Sequence, residues 1–177
     1  MTDELILVRP TPADAARVWA YHEEFTAHGD SLDGTSGLGS YADYESWLSI
    51  VNDCAAATDY CHGFVPATQY LAVRKKDGAL VGMASIRHRL DEKLLRHGGS
   101  IGYSVRFSER RKGYGSSMLR MALPLIKATG QQKALVTCYK ENLGSQGVIK
   151  SCGGVFSDEF FENGHTTQRY WIDLSNL

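Results

Sequence analysis

The chain has 177 residues, 43% hydrophobic and 22% charged, which suits a single domain over 1–177 with one substantial core. A formal net charge of −1 excludes the bulk electrostatic footprint of a nucleic-acid binder. No apolar run is long enough to span a bilayer, and Met1-Thr2-Asp3-Glu4 lacks the basic-then-apolar pattern of an export signal, so no membrane partner and a cytoplasmic location are expected.

In chain order, Leu5-Ile6-Leu7-Val8 reads as an opening strand. Thr11-Pro12-Ala13-Asp14 starts a helix, with Thr11 as its cap, Pro12 suited to the first turn and Asp14 able to reach back. The stretch from His28 to Gly39 is rich in Gly, Asp and Ser and reads as a loop. Tyr44, Trp47, Leu48 and Val51 then recur at helical spacing. Tyr70 to Val73 and Leu80 to Ile86 read as strands joined at Asp77-Gly78, a dipeptide that favours tight turns. Asp91 to His97 is a polar connection. Ser100 to Phe107 is a strand, Ser116 to Leu123 an amphipathic helix, and Lys133 to Tyr139 a strand. Asn142 to Ser151 is a short helix stopped by Gly153-Gly154, and two closing strands meet at Asn163-Gly164. Hairpins at both ends make this a mixed α/β order, not a doubly wound repeat.

Cys54, Cys61, Cys138 and Cys152 form no Cys-x-x-Cys pair, and Cys61-His62 is poor spacing for two ligands of one metal, so free thiols and no metal are expected. The richest stretch is Arg110-Arg111-Lys112-Gly113-Tyr114-Gly115, between a strand and a helix. Glycines let the backbone come close to a ligand, and a helix N-terminus presents unpaired N–H groups, so this turn is suited to a pyrophosphate. A Walker loop would need Gly-Lys-Ser/Thr at its end, whereas Lys112 precedes Gly113. The dinucleotide fingerprint would need a third glycine where Met118 stands.

These residues resemble the GNAT (GCN5-related N-acetyltransferase) family. Arg110, Gly113 and Gly115 match its Gln/Arg-x-x-Gly-x-Gly/Ala motif. Asn142, Ser145 and Gly153 match its second landmark, and Val65 to Thr68, Ile86 to Leu90 and Arg169 to Ile172 look like a bacterial subgroup of mostly uncharacterised members. The resemblance implies a GNAT fold: a mixed, mostly antiparallel sheet of about six to seven strands, flanked by helices and splayed near Val105. It implies acetyl-CoA as co-substrate, held by backbone N–H groups from about Arg111 to Ser116, by charge from Arg110, Arg111 and Lys112, and by Asn142 and Ser145. The backbone of Ser104 and Val105 would meet the pantetheine arm, and an N–H near Val105 would stabilise the oxyanion.

One departure concerns the acid. Many GNAT enzymes place a Tyr seven residues after the landmark Asn; here it is Ile149. Tyr103, Ser145, Tyr139 or an ordered water are the alternatives. A thiol with a pKa near ~8.5 needs only modest help to leave. For the base, His88 is the first candidate by type, with His97 and His22 behind it. Asp30 and Asp33 read as a solvated loop or as a lure for a cationic substrate. Arg87-His88-Arg89 reads either as a binder of an acidic substrate group or as a partner of Asp91 and Glu92.

The expected function is acetyl transfer from acetyl-CoA to a primary amine, small molecule or protein, by direct attack in a ternary complex. The alternatives are another acyl-CoA as donor, or a non-catalytic acyl-CoA sensor. Dimers are common in the family, so a homodimer through the aromatic C-terminal strands is also open.

Overall fold

A computed structural model describes residues 3–177; the Met1-Thr2 part of the N-terminal signal argument lies outside them. Seven strands and five α-helices follow the expected order. They are β1 (Leu5–Val8), α1 (Ala15–His28), α2 (Tyr44–Ala56), β2 (Ala67–Arg74), β3 (Leu80–Arg87), α3 (Glu92–Arg96), β4 (Ile101–Val105), α4 (Tyr114–Ala128), β5 (Lys133–Tyr139), α5 (Leu143–Ser151), β6 (Val155–Glu162) and β7 (His165–Asp173). Among the described residues no helix is long and apolar enough to cross a membrane.

The strands do not form one continuous mixed ladder. β1-β2-β3-β4 make a four-stranded antiparallel sheet and β5-β7-β6 a three-stranded one, so every paired ladder is antiparallel and the seam falls between β4 and β5. The strands touch at one end of the seam, where Ser100 N donates to Leu135 O at 2.7 Å and Leu135 N to Ser100 Oγ at 2.9 Å.

Two cores cover the first sheet. On one face α4 inserts Met118, Leu119, Ala122 and Ile126 against Val81, Ala84, Ile86 and Ile101, all with little or no exposure. The other face carries α1 and α2, with Val18, Tyr21, Phe25 and Trp47 over Leu71, Leu80 and Met83. From Met83 to Ile86 this division follows strand alternation, with Ala84 and Ile86 toward α4 and Met83 toward α1 and α2; a register shift against β2 between Ala72 and Val73 puts Val81 on the α4 side and Leu80 on the other. The start of α1 behaves as the sequence predicts, with Thr11 N and Oγ1 both donating to Asp14 Oδ2, at 2.7 and 2.8 Å. Helix α4 runs past Leu123 and Pro124 to Ala128. An interior proline costs about 3 kcal/mol, but Leu123 and Ile126 on either side are buried and hold the last turn to the sheet.

The stretch from His28 to Gly39 is not a free loop. Thr35 and Leu38 are fully buried, and Trp47 Nε1 donates to Thr35 O at 2.8 Å. Ser36 Oγ donates to Gln69 Oε1 at 2.7 Å, and Gln69 Nε2 to Gly34 O at 2.9 Å. The segment is thus moored to β2 and lies over β4.

Candidate active site

Where β4 and β5 part, a cleft of about 770 Å³ opens. It runs from the turn before α4, past Val105 and Tyr103, to Arg87, His97 and Gly98 at the other end of β4. Asp30, Asp33 and Gly34 from the moored loop line one side; Cys138, Tyr139, Asn142 and Ser145 line the other.

The floor follows from the ladder. Arg106 N donates to Val81 O at 2.9 Å and Arg87 N to Ser100 O at 3.0 Å, so the even-numbered residues of this strand turn their backbone groups to β3. Ile101, Tyr103 and Val105 therefore turn theirs to the seam, where β5 does not pair with them. This corrects the expectation for Ser104. Its backbone faces β3, and its hydroxyl is taken: Oγ donates to Asp33 O at 2.5 Å and accepts from Tyr21 OH at 3.0 Å.

The turn holds two left-handed residues, Arg111 at φ +63° and Gly113 at φ +84°. A non-glycine in that region is uncommon and strained, and such residues collect at functional sites. Among the described residues nothing accepts a hydrogen bond from the backbone N–H of Arg111, Lys112 or Gly113. These donors and the first turn of α4 form one concave patch of partial positive charge, the kind of site that takes phosphate. Gly115 has a second reason to be small: a Cβ there would lie 3.0 Å from Val148 Cγ2 of α5.

The turn's side chains divide. Arg110 is fixed, with Nη1 2.6 Å from Asp30 Oδ2 and Nε donating to Val105 O at 3.1 Å. Lys112 faces away, with Nζ donating to Glu109 Oε2 and Ser108 O at 2.9 and 3.0 Å, and it does not line the cleft. Tyr114 sends its ring into the core; its hydroxyl donates to Asp3 Oδ2 at 3.0 Å and accepts from Arg74 Nη1 at 3.1 Å. Ser116 Oγ pairs with Ser151 Oγ at 2.9 Å. Tyr114 and Ser116 are thus left with backbone N–H groups to offer, and Arg111 with its side chain as well. Asn142 caps α5 through its Oδ1, which accepts from Ser145 N at 2.9 Å, and it also lines the cleft.

Across the seam Tyr103 OH and Ser145 Oγ lie 2.9 Å apart, joining β4 to α5. Burial raises the Tyr103 pKa above its ordinary value, so the phenol stays protonated. Ile149, at the usual Tyr position, is fully buried. Cys138 lines the cleft, and burial raises its thiol pKa as well.

His88 is a second correction. Its Nε2 lies 2.8 Å from Thr68 Oγ1, and it borders a shallow depression with Gly130, Gln131 and Trp171, outside the cleft. Burial lowers its pKa. The imidazole at the cleft is His97, whose Nε2 pairs with Glu162 Oε2 and whose ring meets Phe160 edge-on at 5.0 Å. Hydrogen bonds from His97 and Arg96 hold Glu162 below the usual carboxylate range. The basic cluster also splits. Arg89 pairs with Asp59 at 2.5 Å, whereas Arg87 turns into the cleft. Among the described residues no group of three or more His, Cys, Asp and Glu side chains is placed to hold a metal ion.

The model of the acetyltransferase (GNAT) domain family matches residues 4–155. Among curated proteins nothing matches. Solved structures of similar fold include RimJ of Mycobacterium smegmatis in complex with CoA-disulfide, at TM-score 0.72 and 20% identity over 98% of this chain and 83% of that one. Ribosomal-protein-S5-alanine acetyltransferase of Vibrio fischeri gives 0.69 and 14% over 99% and 95%. The yncA protein of Salmonella typhimurium, solved with its cofactor acetyl-CoA, gives 0.66 and 13% over 98% and 95%. At these identities the likeness is one of fold.

Proposed function

The chain belongs to the GNAT acetyltransferase family, and from that premise we propose that it moves an acetyl group from acetyl-CoA to a primary amine by direct attack in a ternary complex. The observation that carries this reading is one cleft joining the phosphate-suited turn to the unpaired edge of β4. The site fits the cofactor: the unspent N–H groups of Arg111 and Gly113 suit its pyrophosphate, and the seam edge of Tyr103 and Val105 suits the amides of its arm. Bound there, acetyl-CoA supplies an activated acetyl thioester.

The chain's own groups then have distinct tasks. His97, steadied by Glu162, takes a proton from the acceptor's ammonium, directly or through water. Val105 N–H donates to the carbonyl oxygen as negative charge develops on it. Tyr103 OH, paired with Ser145 Oγ, delivers a proton to the departing thiolate. Cys138, with its raised pKa, is a weak nucleophile and forms no acyl-enzyme.

Initial-rate kinetics with acetyl-CoA and a panel of primary amines test the reading. Intersecting patterns are expected; parallel ones, the mark of a covalent relay, would refute direct attack. Tyr103→Phe should lower kcat roughly tenfold to a hundredfold with little change in KM for acetyl-CoA. An unchanged kcat would remove Tyr103 from the chemistry. His97→Gln should cost a similar factor near neutral pH. That loss should shrink as pH rises and the free amine becomes abundant; a deficit constant with pH would argue against a base at this position.

A further inference from the structure

The cleft has two guanidinium groups without a carboxylate partner, one near each end. Arg111 sits in the turn, where a pyrophosphate would match it. Arg87 sits at the opposite end of β4. It is the last residue of β3 and shares the parity of Met83 and Ser85, so it projects on the face covered by the moored loop.

Its surroundings are unusual for a partly buried arginine. Among the described residues no Asp or Glu oxygen lies within 4.0 Å of its guanidinium, whereas Arg74, Arg89, Arg96, Arg106, Arg110 and Arg169 all have such a partner. Its one protein partner is Gly98 O, which accepts from Nη1 at 3.2 Å. The group lies over Gly102, where a Cβ would come within 3.1 Å of both terminal nitrogens, and Gly34 closes the same corner. Burial lowers its pKa to about 10, and Asp33 is the charge that opposes this. Removing a cation from water is costly unless an anion meets it. Here the planar fork keeps most of its donors free and aims them into a cleft whose nearby backbone carries no side chains.

We propose that Arg87 is a carboxylate anchor and that the acceptor is an amino acid, an amine carrying a carboxylate that the Arg87 fork binds at the far end of the cleft. The inference rests on the acetyltransferase reading above. The site is matched to a zwitterion: Arg87 takes the carboxylate, while Asp33, lining the same wall, favours the ammonium before His97 deprotonates it. A bidentate guanidinium–carboxylate pair is among the stronger polar contacts available to a ligand, and it fixes orientation as well as affinity.

The experiment is a titration of the protein saturated with CoA. The common amino acids are the ligands, and phenethylamine and cadaverine are compared with phenylalanine and lysine. Binding of acetyl-CoA is measured in parallel, so a failure of the acetyltransferase reading shows as loss of CoA binding, separately from this test. At least one amino acid is expected to bind tightly, and decarboxylated partners about 100-fold or more weakly. Arg87→Gln should erase the amino-acid advantage while leaving CoA affinity and melting temperature near wild type; Arg87→Lys, which keeps charge but not the fork, should restore part of it. Amino acids that bind no better than the decarboxylated amines would overturn the proposal. So would an Arg87→Gln variant that weakens both classes equally. A third arm compares succinyl-CoA with acetyl-CoA. If Arg87→Gln removes a preference for succinyl-CoA and leaves amino-acid binding intact, the carboxylate belongs to the acyl group, and the acceptor assignment falls.

Discussion

Gly113→Glu should reduce acetyl-CoA affinity by roughly four orders of magnitude. Gly113 stands at φ +84° as the residue before α4, so any side chain there meets a conformational penalty of about 1–2 kcal/mol. The larger effect is electrostatic. A carboxylate about 4 Å from a bound phosphate at an effective dielectric near 20 costs about 4 kcal/mol. Two comparison variants separate the causes. Gly113→Ala should lose only about tenfold, from strain. Lys112→Ala should bind nearly as wild type, because Lys112 points to Glu109 and Ser108. Calorimetric titration of the three proteins is decisive. If Gly113→Glu binds as tightly as wild type, the turn does not hold the pyrophosphate. If Lys112→Ala is the worse binder, the placement of that side chain is wrong.

Gly99→Ala should be the most destabilising conservative change at the seam. Gly99 has φ +64°, and a Cβ there would come 2.3 Å from Leu135 O and 2.9 Å from Leu135 C. Neither atom can move aside, since Leu135 O also accepts from Ser100 N at 2.7 Å. The methyl group would act as a wedge at the point where the two sheets meet. The expected loss is roughly 2–4 kcal/mol, or roughly 5–15 °C in Tm for a chain of this size. Gly130→Ala isolates the conformational part, because Gly130 also has positive φ (+93°) with nothing within 4 Å of its Cβ position. It should lose about 1–2 kcal/mol. Equal melting of the two variants would mean that contact with Leu135 contributes nothing.

Features set by short-range chemistry were legible in the sequence. The Thr11–Asp14 box, the Asn142 cap, the Asn163-Gly164 hairpin and the strand–turn–helix around Gly113 all arise from neighbours in the chain, and all are present. Placement beyond a strand's end was not. Arg87 and His88 are consecutive, so alternation sends them to opposite faces, and which face borders the cleft depends on where the 28–39 segment settles. That segment reads as polar loop because two of its mooring atoms, Thr35 O and Gly34 O, belong to the backbone and leave no trace in residue type, and the third, Ser36 Oγ, is on a residue type that a solvated loop also carries. Ser104 was misread for a related reason. Which residues of β4 turn their amides to the seam depends on its register with β3, and register is a long-range property. Asp30 reads in the sequence as a solvated loop residue or a lure for a cationic substrate, and its pairing with Arg110 is not legible there because Arg110 lies far along the chain.

The seam between β4 and β5 also bears on the thermodynamics of the fold. The protein is built one strand short: the amides of Tyr103 and Val105 face the seam, where no strand pairs with them. An occupant that pairs with them completes the sheet, as an added strand would. By mass action it also raises global stability, by about 2.7 kcal/mol at a concentration 100 times its Kd. The empty and filled forms therefore share one architecture and differ in cohesion, with the two half-sheets joined by the Ser100–Leu135 bonds and the shared core beneath α4 until the gap is bridged.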